Sequence, residues 1–160
     1  MHSTLTALLE VTNNWYLNID DGLLNSVLLL DLKKAFDTVD QSILLKKLQL
    51  YGLDSHTVQW FKSYLSNRFQ STLVNGTLSD YLPTSCGVPQ GSVLGPLFLI
   101  YINDLQECEL SSSPLMYADD TSLTLSAHDL TKFNKDLEEV QKWLKSNKLT
   151  FNVKKTKYMM

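Results

Sequence analysis

The sequence predicts an α/β (α+β) domain in which a small, mostly antiparallel sheet carries helices packed on one face. Three stretches predict it. Ser26-Val27-Leu28-Leu29-Leu30-Asp31 is a short apolar run ending in an acid, the pattern of a buried central strand. Leu115-Met116 and the alternating Thr121-Ser122-Leu123-Thr124-Leu125 flank Tyr117-Ala118-Asp119-Asp120, which reads as a hairpin whose tip carries two acids. Leu130, Phe133, Leu137, Val140 and Leu144 alternate spacings of three and four, giving an amphipathic helix suited to covering a sheet.

The elements follow in order. Leu5, Leu8, Leu9 and Trp15 stand at helical spacing behind Ser3, so a first helix over 3–16 is expected to pack on the core with Ser3 as its N-cap. After the strand that ends at Asp31, Leu44, Leu45 and Leu48 define a helix that Asp40 can cap and Gly52 can end. Another helix starts near Asp54 or Ser55 and buries Val58, Phe61 and Leu65, with Trp60, Tyr64 and Arg68 read as packing residues. Phe69 to Val74 and Thr77 to Leu82 form strands around the turn signal Asn75-Gly76, and Pro83 is expected to end their pairing. A turn-rich loop, Cys86 to Pro96, leads into an apolar helix over Leu97 to Leu105. Ser126 and Asp129 offer a capping box for the amphipathic helix, Asn147 can end it, and a turn and short strand close the chain through Lys157.

Composition bounds the function. With 160 residues, 44% hydrophobic and 19% charged, the chain has the make-up of a globular domain with a core. No uninterrupted apolar run reaches membrane-spanning length, and no secretory signal precedes the first helix, so an intracellular protein of the cytoplasm or nucleus is expected. Cys86 and Cys108 fit no metal-ligand spacing and read as reduced thiols. The net charge of −3 argues against a self-sufficient nucleic-acid binder, although residues 142–160 hold six lysines and no acid.

Asp-Asp turns are ordinary, because Asp caps its own backbone. Asp31 changes the reading. It stands at the end of one strand and Asp119-Asp120 at the tip of a hairpin, in a sheet that could set these strands side by side. Converging carboxylates need raised pKa values or a cation, and hard Mg²⁺ accepts carboxylate oxygens while leaving positions for phosphate. Two such ions suit in-line phosphoryl displacement, which a polymerase, a phosphatase and a nuclease all use.

Four motifs in order now carry a resemblance. Asp31-Leu-Lys-Lys-Ala-Phe36-Asp37, Gly87-Val-Pro89-Gln90-Gly91, Tyr117-Ala-Asp119-Asp120, and Asn147 to Asn152 continuing to Lys155-Thr156 resemble motifs A, B, C and D of reverse transcriptases. The intervening text, including Trp60 to Arg68 and Val93 to Asp104, resembles the non-LTR, LINE-type retrotransposon branch, and the likeness covers almost the whole chain. It implies a polymerase palm that joins deoxynucleotides to a DNA primer on an RNA template. The cofactor would be two Mg²⁺ ions, with Mn²⁺ as a substitute. Asp31 and Asp119 would be ligands of both ions, the backbone carbonyl of Leu32 would assist, and Asp120 would support the site. Phe36 matches the steric gate against a 2′-hydroxyl. Gln90 and Gly91 match the loop that lines the nascent base pair, with Gly87, Pro89 and Tyr117 as structural parts of their motifs. Lys155, with Lys154 as a competitor, matches a proposed general acid toward pyrophosphate.

The same resemblance implies what is missing. Residues 1–160 would be a single partial domain, a palm core lacking most of the fingers, the thumb and any endonuclease, so other regions of a longer polyprotein are expected to be required. Three readings stay open: a catalytic core working within that longer protein; a remnant without activity of its own, or a palm kept as an RNA- or protein-binding module; and another Mg²⁺ phosphoryl-transfer enzyme, which Phe36 and the Gly87 loop disfavour.

Overall fold

The computed structural model describes residues 3–91, 95–127 and 131–160. They group into two compact units, one of Met1–Lys33 with Asp104–Met160 and one of Lys34–Asn103. No helix among the described residues is long and apolar enough to cross a membrane.

The first unit is built on the expected sheet. Strands β1 (Leu24–Leu30), β6 (Ser113–Tyr117), β7 (Asp120–Ala127) and β8 (Lys157–Met159) lie in the order β6-β7-β1-β8, every neighbour antiparallel. The acid-bearing β1 is therefore central. Its register pairs Leu28 with Leu123 and with Tyr158, so these side chains share one face with Leu30 and Leu125. Helix α5 (Thr131–Ser146) covers that face, its Phe133 ring 6.0 Å from the ring of Tyr158 and its Leu137 beside Leu28 and Leu30. Leu123 is fully buried there, a contribution of roughly 2 to 3 kcal/mol for a side chain of its size. The helix arises as its spacing predicts, with Phe133, Val140 and Leu144 buried. Ser126, however, is a residue of β7 and does not cap it, while Asp129 and Leu130 lie outside the described residues. At the other end Asn147 follows the last turn and Lys148 takes a left-handed φ of +52°.

Helix α1 (Thr4–Asp20) starts at Ser3, whose hydroxyl accepts the Thr6 N–H in a capping box. Its expected packing on the core is met only at Trp15, which is half-buried. None of its residues is buried, and Leu5, Leu8 and Leu9 are 63%, 59% and 58% exposed. The physical reason is that the helix meets the sheet through polar groups at its C-terminal half: Asn25 of β1 donates to the Trp15 carbonyl at 2.9 Å and accepts from Asn18 Nδ2 at 2.7 Å. Helical spacing states which residues share a face, not whether anything lies beneath them. Strand β1 is also less enclosed than its apolar run implied, because Leu29 looks to the open face.

Asp136 was not singled out from the sequence, yet it ties α5 to the sheet. Buried within α5, its carboxylate accepts the backbone N–H groups of Ser111 at 2.9 Å and Ser112 at 2.7 Å, just before β6. An acid three residues after Phe133 and four before Val140, on the apolar face, is the signal that could have marked it. Asp136→Ala is expected to cost about 2 kcal/mol, since the buried Ser112 N–H loses its acceptor. Urea unfolding compared with Asp136→Asn, which keeps one acceptor, checks this; equal stability of all three proteins would refute the anchoring role.

The second unit holds α2 (Gln41–Leu50), α3 (Ser55–Leu65), two short ribbons and α4 (Gly95–Ile102). Asp40 caps α2 through the N–H groups of Ser42 and Ile43, as the sequence predicts, and Asp54, where the next helix was expected to start, caps α3 through those of His56 and Thr57. The hydrogen bonds that Asp54 accepts, the Thr57 hydroxyl's foremost, lower its pKa below the ordinary value. Leu97, Phe98, Tyr101 and Ile102 of α4 are buried, and a 3₁₀ turn, Asn103–Glu107, takes over where a single longer helix was expected. The hairpin departs in detail. Strands β3 (Leu73–Val74) and β4 (Thr77–Leu78) pair around Asn75-Gly76, while β2 (Arg68–Gln70) pairs with β5 (Leu82–Thr84). Pro83 sits inside the second ribbon opposite Phe69 and does not end it; a two-stranded ribbon has edges on both sides, where a missing N–H is tolerated. Trp60 and Tyr64 are not core packing residues either, being 58% and 36% exposed.

Candidate active site

Strand β1 ends at Leu30, paired with Thr121, and β6 and β7 end at the pair Tyr117 and Asp120. The next step of the same register sets Asp31 opposite Asp120, on the sheet face away from α5. Ala118 and Asp119 form the whole connection between the strands. So short a turn requires a left-handed residue at its first central position, and Ala118 takes it with φ +53°, a strain of about 1 to 2 kcal/mol for a residue with a Cβ. Asp119 is thus held in a two-residue turn and Asp120 at the start of β7, rather than in a loop. Tyr117 is exposed, as is Asp120, while Asp31 and Asp119 are half-buried.

The chain after α5 completes the surroundings of Asp31. Leu32 bridges Phe151, and the two hydrogen bonds of that bridge run from Lys33 N–H to Thr150 O (2.9 Å) and from Asn152 N–H to Asp31 O (2.8 Å). The carbonyl of Leu32 itself takes no part in them. Asn152 O then accepts from Lys155 N–H, Thr156 N–H and the Thr156 hydroxyl, folding Asn152 to Thr156 into a turn, and the Asp31 N–H lies 3.5 Å from Thr156 Oγ1. This turn brings Lys155 Nζ to 3.9 Å from Asp31 Oδ1. The lysine is 71% exposed, so the pair adds little stability, but it puts an ammonium beside the acid.

Opposed like charges on neighbouring strands repel unless a cation lies between them. The donor set at this end of the sheet is all oxygen, the carboxylates of Asp31, Asp119 and Asp120 with the Leu32 carbonyl, which fits a hard divalent ion. Among the described residues, no group of three or more His, Cys, Asp or Glu side chains lies close enough to hold a metal ion. The fit therefore rests on strand register and donor chemistry.

The other predicted residues belong to the second unit. Phe36 is half-buried, its ring stacked on that of Phe98 at 4.4 Å between centroids. Its carbonyl accepts the Val88 N–H at 2.9 Å, and Val39 O accepts the Gly87 N–H at 2.7 Å, so the two motifs are laced together. Gly87 has φ +86°, and a Cβ there would stand 2.9 Å from the Asp37 carbonyl oxygen, which explains the glycine. Gln41 Nε2 donates to Gly87 O at 3.2 Å. Pro89 is half-buried, Gln90 and Gly91 are exposed, and Gln90 lines a cleft of about 550 Å³ with Lys34, Asp37, Gln41, Arg68 and Gln70.

Comparison with known proteins agrees with these motifs. The family model for reverse transcriptase (RNA-dependent DNA polymerase) matches residues 3–160. The RNA-directed DNA polymerase from the mobile element jockey of Drosophila melanogaster is 30% identical over 139 residues, 79% of this chain and 15% of that protein. The probable RNA-directed DNA polymerase from transposon BS of the same organism is 30% identical over 168 residues, 97% of this chain and 18% of that protein. The chain thus spans less than a fifth of these relatives' length. Telomerase from Candida albicans, solved with a fragment of telomeric RNA, matches in fold with a TM-score of 0.74 at 18% identity, over 100% of this chain and 32% of that one.

Proposed function

The chain belongs to the reverse transcriptase (RNA-dependent DNA polymerase) family, and from that premise we propose that it is the palm core of a retrotransposon polymerase extending a DNA primer on an RNA template. One observation carries the reading: β1 ends one residue before Asp31 where it pairs with Thr121 of β7, whose first residue is Asp120, directly after the two-residue turn that holds Asp119. Reverse transcriptases generally use divalent metal ions. Asp31, Asp119 and the Leu32 carbonyl would hold two Mg²⁺, with Asp120 in support. When bound, the ions supply activation of the primer hydroxyl and stabilisation of the departing pyrophosphate. Lys155, beside Asp31, is the chain's own proton donor toward that pyrophosphate. Gln90 and Gly91 would line the nascent base pair.

Phe36 would press on the sugar of the incoming nucleotide, with Phe98 behind the ring to keep it from yielding. Phe36→Val is expected to raise the use of ribonucleotides relative to deoxynucleotides about tenfold or more, because room opens for a 2′-hydroxyl. Single-nucleotide kcat/KM ratios measure it. An unchanged ratio would leave Phe36 as a packing residue.

The relatives are several times longer, and most of the fingers and the thumb would belong to other parts of a longer polyprotein. The test is primer extension on an RNA template with Mg²⁺ and deoxynucleotides, using this chain joined to its flanking regions. Product is expected only with an RNA or DNA template strand present and is abolished by chelation; extension indifferent to chelation would defeat the proposal.

A further inference from the structure

Three features of the second unit have no part in the roles above, and they adjoin one another. Trp60 and Tyr64 stand one turn apart on α3, their rings stacked at 5.7 Å and 15°. Arg68 continues the row, its guanidinium 5.2 Å from the centre of the Tyr64 ring. Arg68 also lines the polar cleft of about 550 Å³ that holds Lys34, Gln70 and Gln90. Trp60 and Tyr64 keep their stacked faces exposed, while Phe61 meets the Trp60 ring edge-on at 5.0 Å. The charge around them is distinctive: from Ser55 to Ser79 the chain carries Lys62 and Arg68 and no acid, within a protein of net charge −3.

We propose that the row Trp60, Tyr64 and Arg68 is a stacking platform for single-stranded RNA, which it leads toward the Gln90 cleft. Flat π-faces in series accept successive unpaired bases of any sequence, and a guanidinium both stacks and meets phosphate. A peptide partner would favour an apolar groove, whereas this row ends in a cation and a mainly polar cleft whose lining includes Lys34, Gln41, Gln70 and Gln90 beside one acid, Asp37. The choice of RNA as occupant rests on the polymerase reading above; the platform itself rests on the ladder and its charge.

The test is fluorescence anisotropy of the full chain with a labelled single-stranded RNA of about 12 nucleotides and with the matching RNA duplex. Chelator is present throughout, so that catalysis and metal binding play no part. At about 50 mM salt the single strand is expected to bind at least tenfold more tightly than the duplex. Trp60→Ala and Tyr64→Ala are each expected to weaken single-strand binding about tenfold, and Trp60→Phe by less than about threefold. Both rings are exposed, so circular dichroism should be unchanged in all variants. Alanine variants that bind like the parent, duplex bound as well as single strand, or a parent that binds no single strand would each overturn the platform. Primer extension reads the catalytic proposal separately, and either can fail while the other stands.

Discussion

Asp119→Ala is expected to lower primer extension by about a thousandfold or more, equivalent to roughly 4 kcal/mol of transition-state stabilisation, with the fold unchanged. Asp31→Ala should match it, because both acids would hold the same ions, whereas Asp120→Ala should lose only about tenfold as a supporting carboxylate. The comparison carries information beyond the presence of a site. Extending the β1–β7 register by one residue past Leu30 and Thr121 would bring Asp120, not Asp119, opposite Asp31. If Asp120→Ala proved the more damaging change, cross-strand position would decide the ligand and the assigned roles of the two neighbours would exchange. Extension unaffected by Asp119→Ala would remove the metal assignment.

Gly87→Ala is expected to destabilise the protein by about 3 kcal/mol. About 1 to 2 kcal/mol comes from forcing an L-residue to φ +86°. The rest comes from a Cβ placed 2.9 Å from the Asp37 carbonyl oxygen. Backbone cannot simply give way there, because Gly87 N–H and Val88 N–H are bonded to Val39 O and Phe36 O on either side of Asp37. The same shift would move Phe36, so polymerase activity should fall along with stability. Urea unfolding of the variant checks the first effect and its ribonucleotide discrimination the second. A stability loss below about 0.5 kcal/mol would show that the close approach tolerates a side chain.

Much of the site was legible because it depends on local rules. A continuous apolar run marks β1 and apolar alternation marks β7, and their antiparallel pairing puts Asp31 and Asp120 at the same end of the sheet. The caps Ser3 and Asp40 were readable for the same reason: each offers an oxygen to N–H groups two or three residues ahead. What failed depends on distant context. Leu5, Leu8 and Leu9 have the spacing of a buried face but no sheet beneath them, and Trp60 and Tyr64 pack on each other rather than inward. Asp136 was missed because a buried acid makes sense only once the N–H groups of Ser111 and Ser112 are seen to meet it. Pro83 was read as a strand breaker because a sequence does not show that its ribbon is two strands wide.

The central place of β1 has a kinetic consequence. Its partners arrive from far along the chain: Leu30 meets Thr121, and Val27 meets Met159. Closing loops of that length costs entropy before any pairing repays it, so this sheet is expected to form after the local helices. Asp31 and the β6–β7 turn share one end of the sheet only once β7 has paired with β1, and Lys155 reaches Asp31 only once the segment after α5 is in place.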